Sequence, residues 1–179
     1  TLCRKEKHEN GDLMNIKIHS MQSLKQRECK PSAPGTALIS IGELGTEFPQ
    51  MEYKPEHNLR LEFDDITPAG LDYESSGKYA LRLFSAEQAK QIADFVYRYR
   101  NNCGTLLCQC RFGRSRGAAV AAAVNLDQGI GGQLLLRHPR RIEVGHEVVA
   151  DEEEQYCPNI YVFRLTLQAL RERKAECKY

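Results

Sequence analysis

A thiol and three guanidinium groups lie within seven consecutive residues, Cys110–Arg116, which read C-R-F-G-R-S-R. Cys110 ends an apolar run, and the alanine-rich run GAAVAAAV follows Arg116. Like charges packed as closely as Arg111, Arg114 and Arg116 repel one another unless an anion lies among them. A thiolate beside a bound oxyanion is a nucleophile aimed at the central atom of that anion. The residue types and their spacing therefore predict an oxyanion site with a reactive cysteine.

The chain around this segment has the pattern of an anion-binding turn. An apolar strand leads through a turn with Gly113 into a helix, so backbone N–H groups and the helix dipole favour negative charge there. These dipoles and Arg116 also favour a thiolate at Cys110. Arg116, one turn into the helix, can place two donors on two oxygens of a ligand. The alternative is a buried strand cysteine before a basic helix start, but the dipole disfavours arginine there unless an anion compensates.

Composition narrows the class of protein. The chain has 179 residues, of which 41% are hydrophobic and 27% charged, as expected for one globular domain. We expect a polar N-terminal tail or tag remnant over residues 1–13 and a catalytic domain over 14–179. The net charge of +1 argues against general DNA or membrane-surface binding, and no apolar run approaches the roughly 20 residues that cross a bilayer.

Cysteine usage points to a reducing compartment. Seven cysteines are an odd number, and they show neither a CxxC pair nor the spacing of zinc ligands. We therefore expect a cytoplasmic protein without structural disulfides and without a metal site. Cys108 lies two positions before Cys110 and so on the same strand face. It could act as a resolving thiol, although a packed strand cysteine is the favoured interpretation.

Strand and helix patterns alternate along the chain. Strands are expected at Asn15–Ser20, Ala37–Ile41, Asn58–Phe63 and 104–110, and a short helical pattern carries Met21 and Leu24. Residues 66–83 are expected to form a long loop. Strand–helix alternation predicts an α/β fold, with one central, mostly parallel sheet covered by helices on both faces. In such sheets a ligand lies outside the carboxyl ends of the strands, where Cys110 is.

Two helices have clear end signals. Ser85 and Gln88 form a capping-box pattern ahead of one helix, whose apolar stripe is Ala89, Ile92, Ala93 and Val96. Asn159 is a possible cap of the C-terminal helix, whose buried face is expected to carry Ile160, Phe163, Leu167 and Leu170. The acidic run Asp151–Glu154 is expected to be a solvated loop or a helix start.

The motif C-x-x-G-x-x-R of Cys110–Arg116 resembles the signature loop of the cysteine-dependent protein tyrosine and dual-specificity phosphatases. The order of LISIGELG, LRLEFDDI, FSAEQAKQIADFV and PNIYVFRLTLQAL is similar to that in small bacterial and phage members, over about Asn15 to Glu172. The resemblance implies a phosphotyrosine phosphatase-like fold and hydrolysis of phosphate monoesters, with phosphotyrosine in a protein as the favoured substrate. It implies no cofactor and no metal.

The resemblance also implies roles for individual residues. Cys110 is expected to form a phosphocysteine intermediate, and Arg116 to clamp the phosphate. The loop that cradles the phosphate comprises Arg111, Phe112, Gly113, Arg114, Ser115 and Arg116. An aspartic acid must protonate the leaving group and then activate water; Asp65 aligns best, Asp64 is its rival, and Asp72 is third.

Two departures from the family pattern leave other functions open. Gln109 stands where a histidine is usual, and Gly117 stands where a serine or threonine hydroxyl usually helps the thiolate to leave. A phosphate-binding module without turnover is therefore the second hypothesis. The segment CRFGRS also resembles loops of rhodanese-type sulfurtransferases, which is the third. Arg111 and Arg114 either favour doubly charged or acidic substrates or are merely solvated.

Overall fold

A parallel sheet of four strands forms the centre of the molecule. The computed structural model describes residues 13–25, 35–48, 55–70, 81–130, 137–139, 142–144, 147–149 and 153–177. The strands of the sheet are β1 (Asn15–Ser20), β2 (Thr36–Gly42), β3 (His57–Glu62) and β4 (Thr105–Cys110). Their spatial order is β1-β4-β2-β3, and every neighbouring pair is parallel. The prediction of an α/β protein with a mostly parallel central sheet is confirmed in this form.

Four helices that lie wholly within the described residues accompany the sheet. They are α1 (Met21–Lys25), α2 (Ala86–Tyr99), α3 (Arg116–Asp127) and α4 (Ile160–Glu176). The predicted capping box of α2 is present, because Ser85 accepts from the backbone N–H of Gln88 while the Gln88 side chain accepts from Ser85 N. The predicted stripe of α2, namely Ala89, Ile92, Ala93 and Val96, is buried.

The two faces of the sheet are covered unequally. One face carries Ile39, Leu106 and Cys108 and packs in a large apolar core with α2, α3 and α4. The other face carries Leu38 and Leu107, which pack with Leu24 of α1. Burying both faces explains why β2 and β4 are apolar almost throughout. The buried sheet holds the carboxyl ends of β1, β2 and β4 in a fixed arrangement.

The buried face of α4 differs from the expected one. Val162, Thr166, Leu167 and Leu170 are buried, whereas Ile160 is 52% exposed. The helix packs against both α2 and α3, so its contact surface is broader than a single stripe and turned toward Val162. The prediction of Asn159 as its cap is confirmed, because Asn159 Oδ1 accepts from Tyr161 N and Val162 N.

Four short strands lie between α3 and α4. They are β5 (Arg137–Pro139), β6 (Ile142–Val144), β7 (Glu147–Val149) and β8 (Glu153–Gln155), paired antiparallel as β5–β8 and β6–β7. The expectation of a loop or helix start at Asp151–Glu154 is wrong for Glu153 and Glu154, which belong to β8. The expected loop over 66–83 is helical at residues 68–70. Residues 71–80 of that loop and 1–12 of the expected tail lie outside the described residues. Among those described, no helix is both long and apolar enough to cross a bilayer.

Candidate active site

The loop Cys110–Arg116 joins β4 to α3 at the carboxyl edge of the sheet. Cys110 is the last residue of β4, is 2% exposed and pairs in register with Ser20 of β1. Gly113 has a φ of +69°, and a Cβ there would lie 2.7 Å from the backbone nitrogen of Ser20. Only glycine combines this left-handed conformation with such a close approach. The loop therefore curls over the end of β1 above the Cys110 thiol.

Two loop carbonyls are bonded outside the loop. Arg111 O accepts from Met21 N at 3.1 Å, and Arg114 O accepts from Cys157 N at 3.1 Å. In a trans peptide the carbonyl and the following N–H point in opposite directions. The N–H groups of Phe112 and Ser115 therefore point away from Met21 and Cys157, and N–H groups on the inner side of a loop can form an anion-binding backbone nest.

The guanidinium of Arg116 is buried beneath the loop. Arg116 is 2% exposed; its Nη1 donates to Phe63 O at 2.7 Å, and its Nη2 donates to Glu43 Oε1 at 2.6 Å. Its Nε is buried without a hydrogen-bond partner among the described residues and lies 4.0 Å from Asp65 Oδ2. A guanidinium has five N–H donors, so these two bonds fix its plane and leave donors for an oxyanion.

Glu43 is a site residue that the sequence did not single out. It follows β2 directly and forms the ion pair with Arg116. Burial alone would raise the pKa of the Glu43 carboxyl, but the hydrogen bond and charge of Arg116 outweigh it, so the pKa lies below its ordinary value of 4.5. Glu43 could have been found from the sequence, because it is an acidic residue that follows a predicted buried strand. Asp65 has the same placement after β3.

The two neighbouring candidate acids point in different directions. Asp65 Oδ1 accepts from Ser115 Oγ at 2.8 Å and from Asn159 Nδ2 at 3.0 Å, which holds this carboxylate at the loop. Asp64 Oδ2 instead accepts from the backbone N–H of Arg82 at 2.7 Å. The structure thus brings Asp65, and not Asp64, to Arg116. Asp72 lies outside the described residues.

The cavity in front of Cys110 has both cationic and apolar walls. Its volume is about 760 Å³, and it is lined by most of the loop, by Asp65 and by residues 20–22. Phe112 is 66% exposed there, with the guanidinium carbon of Arg111 5.3 Å from its ring centroid. Arg114 also lines the cavity. All the predicted loop residues except Gly113, which supplies the turn, therefore contribute to its wall.

A polar row crosses the sheet beside Cys110. Gln109 of β4, Ser40 of β2 and Arg60 of β3 are in register on neighbouring strands. Ser40 Oγ donates to Gln109 Oε1 at 2.6 Å and accepts from Arg60 Nη1 at 3.0 Å. Gln109 Nε2 is buried without a partner among the described residues. Gln109, the residue before the cysteine, is thus held by Ser40 of β2, which is itself held by Arg60 of β3.

Cys108 and Gly117 lie directly behind the loop. Cys108 is fully buried on the same face as Cys110, and this burial, reinforced by the neighbouring Cys110, raises the pKa of its thiol. A Cβ on Gly117 would lie 3.2 Å from Cys108 O and 3.4 Å from Cys110 N. The first turn of α3 therefore packs tightly on the end of β4, with no hydroxyl at Gly117.

The arrangement fits nucleophilic attack on a bound oxyanion. A buried cysteine, a fixed arginine and an aspartate lie around one cavity, next to the N-terminus of a 12-residue helix that has no acidic residue in its first turn. No protein-family model and no curated protein matches the chain.

Proposed function

We propose that this protein is a cysteine-dependent phosphatase of the protein tyrosine and dual-specificity type, with a phosphotyrosine phosphatase-like fold. The observation that supports it best is the convergence of Cys110, Arg116 and Asp65 on one cavity. These are the nucleophile, phosphate clamp and acid that phosphomonoester hydrolysis by a thiolate requires. The residues supply this chemistry without a metal or another cofactor.

The reaction has two steps. The Cys110 thiolate attacks phosphorus, the bond from phosphorus to the leaving oxygen breaks, and Asp65 donates its proton to that oxygen. Water then attacks the phosphocysteine, Asp65 takes a proton from this water, and the S–P bond breaks to return the thiolate and release phosphate. Arg116 and the loop N–H groups stabilise the charge on the equatorial oxygens in both steps.

The cavity wall favours an aromatic leaving group. Phe112 and Met21 place apolar surface beside the nucleophile, and a phenyl ring buries more apolar area against such a wall than a serine methylene does. We therefore take phosphotyrosine in a protein as the substrate class. Arg111 and Arg114 line the cavity, and their positive charge favours substrates with acidic residues near that tyrosine.

The test is release of p-nitrophenol from p-nitrophenyl phosphate in the presence of EDTA. We expect turnover by the wild type that vanadate inhibits, and none by Cys110→Ser. Cys177→Ser is the matched control, because Cys177 is an exposed cysteine at the far end of α4; it should keep wild-type activity. Turnover that survives Cys110→Ser would contradict the proposal.

A phosphate-binding module without turnover is the second candidate. It is favoured by Gly117, which offers no hydroxyl to assist the departing thiolate and leaves little room for a side chain. In that case calorimetry would detect vanadate binding that depends on Arg116, while the same preparation released no p-nitrophenol.

A further inference from the structure

The carboxylate of Asp65 is held asymmetrically. Both of its close donors, Ser115 Oγ and Asn159 Nδ2, bind the same oxygen, Oδ1. Oδ2 accepts no hydrogen bond among the described residues and has Arg116 Nε at 4.0 Å. A protonated carboxylic acid also has two unlike oxygens, since one carries the proton and the other is a pure acceptor. The asymmetry therefore matches the needs of an acid that donates from a defined oxygen.

Asn159 links this carboxylate to the start of α4. Its Nδ2 donates both to Asp65 Oδ1 and to Ile66 O at 3.2 Å. Its Oδ1 accepts from the N–H groups of Tyr161 and Val162 in the first turn of the helix. Asn159 is buried, so its rotamer is fixed by these four bonds. The backbone after Asp65 and the side chain of Asp65 are thus tied to one rigid helix end.

Ser115 contributes the second donor from the loop. It occupies the N-cap position of α3, yet its hydroxyl makes no capping bond and donates to Asp65 instead. Serine at an N-cap normally satisfies a backbone N–H of its helix. Here that N–H remains for an anion, and the hydroxyl orients the acid. The position of Asp65 is therefore coupled to the loop that holds the phosphate.

We propose that Asn159 is a positioning residue which, together with Ser115, makes Oδ1 the acceptor oxygen of Asp65 and reserves Oδ2 for the proton. The inference rests on the proposed function. The proton passes from Oδ2 to the leaving oxygen as the P–O bond breaks and its electron pair moves to that oxygen. In the second step Oδ2 receives a proton from the attacking water.

The test compares two substrates that differ in leaving group. Phenyl phosphate releases a more basic phenolate than p-nitrophenyl phosphate does, so it depends more on proton donation. Asn159→Asp keeps an oxygen acceptor for the cap of α4 but replaces the Nδ2 donor by a second carboxylate oxygen beside Asp65 Oδ1. Ser115→Ala, which adds no charge, is therefore measured beside it. We expect the kcat/KM of Asn159→Asp to fall about tenfold more on phenyl phosphate than on p-nitrophenyl phosphate, because a misplaced acid costs up to about 100-fold.

Three further variants make the result specific. Asp65→Asn should show the same selectivity, with a larger loss, since it has no proton to give. Ser115→Ala removes a donor to Oδ1 without altering the cap of α4, and it replaces Asn159→Asp if that variant fails to fold. Tyr97→Phe is the control for general destabilisation, because its lost hydrogen bond to Asp127 lies at the other end of α3. It should affect both substrates equally.

The outcomes separate the two proposals. Equal losses on both substrates in Asn159→Asp and Ser115→Ala, with turnover that still requires Cys110, would overturn the role of Asn159 and leave the phosphatase intact. A wild type without Cys110-dependent turnover would overturn the proposed function, and the assignment of Oδ2 with it.

Discussion

At the scale of single residues, the site is defined by a few side chains held from several directions. Arg116 is fixed by Glu43 and by Phe63 O, and Asp65 by Ser115 and Asn159. Each of these bonds joins parts of the chain at least 50 residues apart. The geometry therefore depends on individual contacts that substitutions can remove one at a time.

Gly113→Ala should damage both the loop and its contact with β1. An alanine in the left-handed region costs about 1–2 kcal/mol, and its Cβ would meet the backbone of Ser20. We expect a larger loss of unfolding free energy than in Gly129→Ala, together with weakened vanadate binding. Gly129 has a φ of +82° and open space where a Cβ would lie, so Gly129→Ala carries the conformational cost alone. Urea denaturation measures the stability of the two variants, and calorimetry measures their vanadate binding. Equal losses of stability would contradict the contact of Gly113 with β1.

Glu43→Gln should make stability less dependent on pH in the acid range. The pKa of Glu43 is lowered in the folded protein, so its ionised form stabilises the fold fully above pH 4.5, and this stabilisation is lost as pH falls through the folded-state value. The wild type should exceed Glu43→Gln in melting temperature at pH 7, and the difference should shrink below pH 4.5. Thermal denaturation from pH 7 to pH 3 measures this; a constant difference would contradict it.

The sequence identified the residues of the loop, but not most of the residues that hold them in place. Cys110, Gly113 and Arg116 lie within one short segment, so their spacing alone implies a shared site. Glu43 and Asn159 reach Arg116 and Asp65 across 73 and 94 residues. No local pattern encodes such pairs, because they arise only once the sheet and α4 are packed.

At the scale of elements, the four strands of the central sheet were easier to predict than the buried face of α4. Alternating or continuous apolar runs located the ends of β1 to β4 to within one residue. The face of α4 was misjudged at Ile160 because a helix that touches two other helices has no single stripe. Strand burial is set by the sheet itself, whereas a helix face is set by its neighbours.

The free energy of unfolding should depend on the Ser40 hydroxyl, which lies at the centre of the polar row across β4, β2 and β3. Ser40→Ala leaves Gln109 Oε1 without its donor inside a buried face, which costs about 1–3 kcal/mol. The double variant Ser40→Ala/Gln109→Met should recover part of that loss, because Gln109 Oε1 is then removed together with its donor, while Arg60 Nη1 still lacks the acceptor that Ser40 supplied. Urea denaturation of both variants checks this; an additive loss would show that the pair is not coupled.

At the scale of the whole molecule, the three long helices are tied together at the end opposite the loop. Tyr97 of α2 donates to Asp127 Oδ2 of α3, and Lys174 of α4 donates to Asp127 O. The cavity in front of Cys110 and this junction therefore lie at the two ends of α3.

The contribution of the Tyr97–Asp127 hydrogen bond to stability should be lost at alkaline pH. Burial, and then the nearby Asp127, raise the pKa of Tyr97 to about 12 from its ordinary value of 10.0. The protonated phenol thus stabilises the fold fully below pH 10, and this contribution is lost as pH rises through about 12. Melting temperatures of the wild type and Tyr97→Phe should converge over that range. A difference that stays unchanged to pH 12 would contradict the assignment.

The close passage of Gly113 over Ser20 has a consequence for the order of folding. The loop is complete only when residue 15 has paired with residue 105, the most distant partners in the sequence among the strand pairs of the sheet. Helices form from local contacts, whereas pairing of distant strands is slow. Recovery of vanadate binding after dilution from denaturant should therefore lag behind recovery of the helical circular dichroism signal. The rate at which vanadate binding returns would then report the rate at which β1 pairs with β4.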